Sequence, residues 1–350
     1  MRTLRRRGIE LVCLALGVAV LAVTVWAIGA DTLVGDLRTM GWGLAAILLV
    51  ESLSVALNTG GWALGFPSGE RLVSAPRLFA ARLAGDGVNY LTPSATVGGE
   101  LLRLRLLGPQ VPASLRLGSV SVAKIGQSLA QAVFILLGLA IVLPGLAVAQ
   151  EWLGSTGAIV AACVAGAAAV AHWAAFVWAV DRGFWTMTRG VLRRVGLGRL
   201  LPGSWAGPGR DLDAALARLG PWRAAASLGC FVAGWSVGAA EIYLILHWVG
   251  GTVDWQTALA LETGSVLIDG ILFFVPAKVG TQEGGKVVLF AALGLNPARG
   301  LTVGVVRRIR ELAYAGLGLV ALGWLTARPT PGPTPLQAHV SSDQRSPGRV

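Results

Sequence analysis

Asp86, Pro93, Glu100 and Arg103 stand at intervals of seven, seven and three residues, and Asp269, Pro276, Glu283 and Lys286 repeat those intervals. Each set places two carboxylates and a cation around a proline. Gly98 and Gly99 flank the first set, and Gly280, Gly284 and Gly285 flank the second. Glycine permits tight turns and close backbone approach, so Pro93, Pro276 and these glycines read as hinges where helices break. A broken helix exposes N–H groups suited to an anion. Asn89, Arg105 and Lys278 stand beside the breaks and extend the same polar chemistry. Two consequences are open: a polar cavity that grips a charged group, or acids and bases that neutralise one another and pin the breaks.

A second constellation is Arg307, Arg308, Arg310 and Glu311. Arg307, Arg310 and Glu311 share one helical face, while Arg308 reaches Glu311 at a spacing of three. Arginine forks suit phosphate; interfacial anchoring is the plainer role. Lys124, Gln127 and Gln131 form a polar stripe at helical spacing. Glu51, Asn58, Glu241, His247 and Glu262 read as isolated polar residues, suited to helix–helix hydrogen bonds. His172, His247 and His339 have no metal spacing, and neither a G-x-S-x-G elbow nor a phosphate-binding loop occurs. No catalytic residue, metal or cofactor is expected.

These charges have to be positioned by elements that live in lipid. Hydrophobic residues make up 54% of the 350, charged residues only 13%, and mean hydropathy is +0.67; a soluble domain carries about 25% charged residues. The 13 Trp and 48 Gly fit interfacial anchoring and close helix packing. The net charge of +11 lies between apolar spans rather than in a basic, aromatic-interleaved domain, which argues against nucleic acid. Cys13, Cys163 and Cys230 fall in apolar runs as packing residues.

Apolar spans of bilayer length are expected at about 9–29, 42–64, 117–143, 156–180, 223–249 and 301–325. The first is too long for a signal-peptide core and reads as a retained helix. The loop from Arg182 to Arg223 also carries Arg189, Arg193, Arg194, Arg199, Arg210 and Arg218, which makes it and the basic residues 1–8 cytoplasmic. The weakly basic loops Asp31–Met40, Pro144–Ser155 and Gly250–Asp254 then face outward. Segments 78–107 and 256–295 are apolar but broken in the middle, and irregular backbone at membrane depth must be shielded from lipid. They read as re-entrant hairpins entering from opposite sides.

The expected fold is therefore an all-α integral membrane protein with about six transmembrane helices and two re-entrant hairpins. Its halves, 9–143 and 156–325, form an inverted repeat within a domain spanning 9–325. The Pro- and Ser-rich residues 326–350 read as a disordered cytoplasmic tail.

Two patterns carry a resemblance. The N-x3-P-x4-GGE-x2-R run from Asn89 to Arg103 and the P-x3-G-x2-E-GG run from Pro276 to Gly285, followed by VVRRIREL, resemble the transmembrane region of lysylphosphatidylglycerol synthases and their stand-alone flippase-like relatives. The second run is similar to the hopanoid-associated subgroup. The resemblance covers most of 9–325 and implies a bacterial inner-membrane protein with both termini cytoplasmic. It implies movement of a phospholipid, hopanoid or related amphipathic lipid between leaflets, without aminoacyl transfer. Membrane lipids, and lipid-synthesis enzymes, are the implied partners. Lys278 departs from the small residue expected there and adds a cation to the second hairpin. A membrane-embedded lipid-modifying enzyme and a non-transporting scaffold for lipid synthesis are the rival readings.

Overall fold

The computed structural model describes residues 30–66, 73–91, 97–196, 206–272 and 280–327. The span expected at 9–29, the tail from 328 onward, Pro93, Pro276, Lys278 and Arg199 lie outside them. Among the described residues the structure is helical with no strand. Four helices are long and apolar enough to cross a membrane: α2 (Gly43–Leu64), α5 (Ala113–Val142, whose apolar span runs Leu115–Gly145), α6 (Ala147–Arg182) and α9 (Pro221–Trp248). α12 (Pro297–Ala327) is 31 residues long and therefore equally able to reach across, but Arg307, Arg308, Arg310 and Glu311 near its middle keep it from being uniformly apolar.

Two further pairs are helical hairpins: α3 (Ala75–Leu91) with α4 (Val97–Leu106), and α10 (Trp255–Ile271) with α11 (Thr281–Ala292). Both run antiparallel. In the first, Arg77 donates to the Leu106 carbonyl at 3.2 Å and Gly99 N donates to Asn89 Oδ1 at 2.7 Å. In the second, Gly264 lies against Leu289, Gly285 against Ile268, and Gln282 donates to Asp269 at 2.9 Å.

Packing ties these pieces into one bundle. α2 lies along α9, where Gly61 meets the Phe231 ring and Ser227 donates to the Gly61 carbonyl at 2.7 Å. α3 packs on α12 through Gly87, Ala315 and Gly318, whose small size lets the backbones approach closely. One apolar cluster, including Ile47, Ile242, Phe290 and Val303, sits toward one end of the bundle. Another, including Trp62, Leu107, Leu228 and Leu325, sits toward the other. Exposed Trp rings mark both ends. Trp42, Trp152 and Trp255 begin helices at the first, while Trp222, Trp178 and Trp324 gather at the second. Such rings suit the two membrane–water interfaces.

Three expected loops are structured. Asp31–Met40 belongs to α1 (Ala30–Met40), because Leu37 and Met40, at a helical spacing, pack into the first apolar cluster. Asp36 fastens α1 to α12 by accepting from Arg299 at 3.0 Å and Thr302 at 2.6 Å. Pro144–Ser155 contains a 3₁₀ turn (Leu143–Gly145) and a short helical stretch that ends at Gly154 (φ 69°, ψ 162°), where the long α6 bends. The basic Arg182–Arg223 segment holds α7 (Phe184–Arg194) and α8 (Ala206–Ala217). Asp213 of α8 caps α7, accepting from Trp185 N at 2.7 Å and Thr186 N at 3.0 Å.

Candidate functional site

A cavity of about 350 Å³ opens inside the bundle, walled by α2, α3, α5, α9, α10, α11 and α12. Its lining is strongly charged for a membrane interior. A charge at bilayer depth is costly unless paired or facing water, so the partner of each group decides what the cavity can do.

α12 supplies the central cations. From Pro297 to Arg307 the helix rises about 15 Å, at roughly 1.5 Å per residue, which brings the arginines to mid-span. Arg307 lies 3.0 Å from Glu241 and 2.6 Å from Glu262, and donates to the Gly238 carbonyl at 2.7 Å. One nitrogen of Arg310, Nη1, touches both Glu241 and Glu51, the latter at 3.2 Å. Arg308 points the other way, donating to Glu283 at 2.9 Å, to the Tyr90 hydroxyl at 2.8 Å and to Gln282 Oε1 at 3.3 Å. Glu311 lies 3.4 Å from Arg308 and 3.7 Å from Arg310. The same-face spacing read from the sequence is thus realised, but every arginine already has carboxylate partners.

The first hairpin forms a second network. Asp86 is held by Arg82 at 2.8 Å and by Arg103. Arg103 also reaches Glu100 at 3.4 Å and lies over the Trp62 ring. Glu100 accepts from Asn89 at 3.0 Å and lies 3.4 Å from Lys124. Asn89 thereby serves two ends of one turn, holding Glu100 with its amide nitrogen and the α4 backbone with its oxygen.

The second hairpin is organised by Glu283. One of its oxygens accepts from Gly280 N at 2.8 Å, capping α11 from within its first turn, and the other accepts from Arg308. Gly280 has φ 76°, a left-handed conformation that glycine adopts without strain. Lys286 is buried, lines the cavity and donates to the Gln282 carbonyl at 3.4 Å. Among the described residues no carboxylate lies within ion-pair distance of its ammonium. Its sequence counterpart Arg103 has two.

Of the residues expected to line a cavity, Asp86, Asp269, Lys286, Arg307, Arg310 and Glu311 do so. Asn89, Glu100, Arg103, Lys124, Glu283 and Arg308 stand in its walls, tied to the lining groups. Arg105 is exposed on α4 and joins neither network. Among the expected hinges, Gly280 precedes α11, whereas Gly98 and Gly99 lie in the first turn of α4 and Gly284 and Gly285 lie inside α11. Gly99 there serves close packing, since a side chain would collide with the Gly85 carbonyl and Asn89.

Sequence reasoning passed over Arg82, Tyr90, Gln282 and Tyr314 and read Glu51, Glu241 and Glu262 as isolated; all three acids belong to the α12 network. The available signal was stoichiometric. Three arginines on one membrane helix require acids elsewhere, and mid-span glutamates on other helices were the available partners.

A search of the curated proteins and a search of the solved structures returned no match to this chain. The family model described as the lysylphosphatidylglycerol synthase TM region matches residues 11–318, and so takes in both hairpins, the cavity and its charged walls. With four apolar spans among the described residues, three of them (α2, α5 and α9) walling a charged cavity, and most of its length matched, the chain is an integral membrane protein that belongs to the lysylphosphatidylglycerol synthase transmembrane-region family.

Proposed function

We propose that this protein moves an amphipathic lipid, a phospholipid, hopanoid or relative, between the leaflets of the bacterial inner membrane, with both termini cytoplasmic. The observation that carries this reading is the charged mid-bundle cavity. At about 350 Å³ it falls in the size range of small-molecule sites, roughly 300–1,000 Å³. That volume suits a headgroup, while acyl chains remain in the surrounding lipid. Lys286 is the group we assign to an anionic headgroup, because it faces the cavity with no carboxylate within ion-pair distance among the described residues. The arginines of α12 hold the walls through their glutamates.

The two hairpins are read as re-entrant, entering from opposite sides as parts of an inverted repeat. Several features support this. α3 and α10 are both 17 residues long, and α5 and α12 are 30 and 31. α3 packs on α12 as α10 packs on α5, while α2 and α9, the corresponding members of each half, pack on one another. Transporters of this plan place their cargo where broken helices meet near the midplane. Counting the span at 9–29 gives six crossings.

The test is leaflet exchange of a fluorescently labelled phosphatidylglycerol in vesicles containing the purified chain. Exchange is expected with the native sequence and is expected to be lost in Glu100→Ala and Glu283→Ala, whose carboxylates tie α4 to Asn89 of α3 and cap α11. No exchange above protein-free vesicles, or full exchange in both variants, rejects the reading.

A further inference from the structure

The α12 network holds more acid than base. Among the described residues, Arg307, Arg308 and Arg310 are joined by ion pairs to Glu51, Glu241, Glu262, Glu283 and Glu311, which is three cations against five carboxylates and a formal charge of −2. Adding the two other cavity groups at this side, Lys286 and Asp269, leaves the difference unchanged. An uncompensated negative charge away from water is expensive, and a proton is the smallest cation that can relieve it.

The geometry also selects the acid. Arg310 Nη1 is shared by two carboxylates, and they are not held equally. Glu241 is fully buried and its Oε2 is also 3.0 Å from Arg307, so it is fixed from two sides. Its Oε1 has no hydrogen-bond partner among the described residues, and neither do Arg307 Nε and Arg310 Nε, so this buried pair does not rearrange toward water. Among the described residues Glu51 has a single ion-pair contact, 3.2 Å to Arg310; it keeps 21% of its side chain accessible and lines the cavity. The other network acids that line the cavity are held more firmly, Glu262 by a 2.6 Å pair to Arg307 and Glu311 by two arginines, so Glu51, held by one arginine at 3.2 Å, is the one able to leave its guanidinium and exchange with cavity water.

The groups facing Glu51 are consistent with this. α9 presents Glu241, and α12 presents Arg307, Arg310, Glu311 and Tyr314, the last hydrogen-bonded to Ser52 at 2.6 Å. Across the cavity stand Arg82, Asp86 and Tyr90 of α3 and Glu262 of α10, with Lys286 of α11 beyond; α5 contributes Gln127, which does not titrate. Acids predominate on the Glu51 side.

We infer that Glu51 is a proton-binding site in the membrane interior, and that its protonation is coupled to entry of an anionic headgroup into the cavity. The coupling half rests on the lipid-transport reading; the proton site does not. An arriving phosphate adds negative charge to a wall already in excess of it, so a proton on Glu51 favours the headgroup and the headgroup favours the proton by the same factor. The proton adds to one carboxylate oxygen of Glu51, replacing its ion pair to Arg310, and Arg310 stays paired with Glu241.

Infrared difference spectroscopy reads the site directly. The purified full chain, in vesicles of phosphatidylethanolamine and phosphatidylglycerol, is expected to show a neutral-carboxyl C=O band near neutral pH that fades as pH rises. Glu51→Gln is expected to abolish it and Glu51→Asp to shift it, while Asp254→Asn, at an exposed helix cap, leaves it in place. Absence of the band from the native chain, or its persistence in Glu51→Gln, overturns the proposal. The coupling is read as exchange of labelled phosphatidylglycerol, which should accelerate several-fold on acidification and lose that response in Glu51→Gln. Acceleration that needs sodium rather than acid, or exchange indifferent to both, overturns the coupling. If the band behaves as expected but no lipid moves at any pH, the proton site is supported and the transport reading falls.

Discussion

The two hairpins share a register but not a chemistry. In α3–α4 the cation Arg103 is locked by Asp86 and Glu100, and Arg82 and Lys124 add a surplus of positive charge around them. In α10–α11 the corresponding Lys286 reaches, among the described residues, only a backbone carbonyl, and Gln282 binds Asp269. The acid at the turn differs in its work too: Glu283 caps its own helix, whereas on the first hairpin Asn89 does this and Glu100 is an acceptor in a side-chain network. One hairpin is thus cross-linked by its charges, and the other keeps a cation toward the cavity. Residues at matching sequence intervals have different surroundings in the two hairpins.

The comparison breaks most visibly at Arg103. Arg103→Met leaves Asp86 to Arg82 and Glu100 to Lys124, and breaking a buried pair costs about 3–5 kcal/mol. With those partial replacements, a loss near the lower end is expected, as a lower midpoint of unfolding in detergent. Gly99 and Gly285 sharpen the contrast. Gly99→Ala drives a methyl into the Gly85 carbonyl, and overpacking of this kind costs about 1–3 kcal/mol. At Gly285 the methyl meets only the Ile268 side chain at 3.2 Å, and the helix-propensity gain of about 1 kcal/mol offsets much of the contact. Unfolding midpoints of the two alanine variants should differ in that order; equal losses would mean that the hairpins are packed alike.

A smaller effect belongs to Asp254, which caps α10 by accepting from Thr257 N at 2.7 Å. Its hydrogen bonds from Thr257 hold the carboxyl below its usual value. The cap is therefore fully formed above the ordinary aspartate range and is lost as pH falls through the lowered value. Asp254→Ala should cost toward the low end of about 0.5–2 kcal/mol, with the difference from the native chain shrinking in acid. The least change in stability is expected for Lys286→Met, within about 1 kcal/mol, since an apolar replacement removes a buried charge without stranding a carboxylate partner. That same variant should lose exchange of labelled phosphatidylglycerol. A large drop in its unfolding midpoint would instead place Lys286 with Arg103 as a structural cation.

The sequence made the helical class and the approximate bounds of four apolar spans readable, because these depend on local composition and on spacing within one segment. Arg307, Arg310 and Glu311 could be placed on one face for the same reason. What those faces meet could not be read. Glu51 and Arg310 are joined across most of the chain, as are Tyr90 and Arg308, and periodicity carries no information on such pairs. α1 escaped notice since its charges resemble a loop while Leu37 and Met40 supply its packing face. α7 and α8 escaped because a run of arginines reads as a solvated loop, and Asp213, the residue that caps α7, lies on the neighbouring helix.

Helix length carries a last consequence. α2 has 22 residues and α5 has 30, or about 33 Å and 45 Å at roughly 1.5 Å per residue, against a hydrocarbon layer of about 30 Å. α2 barely clears the oily layer, while α5 must lean or run on among the headgroups. Glu51 sits on the short helix, nine residues from the exposed Trp42 ring, so its depth is fixed by the element with the least slack. Thickening the membrane strains the short element first and lets the long ones stand upright. Acyl-chain length is then a mechanical input to the cavity: the lipids around this protein set the stance of the helices that wall it.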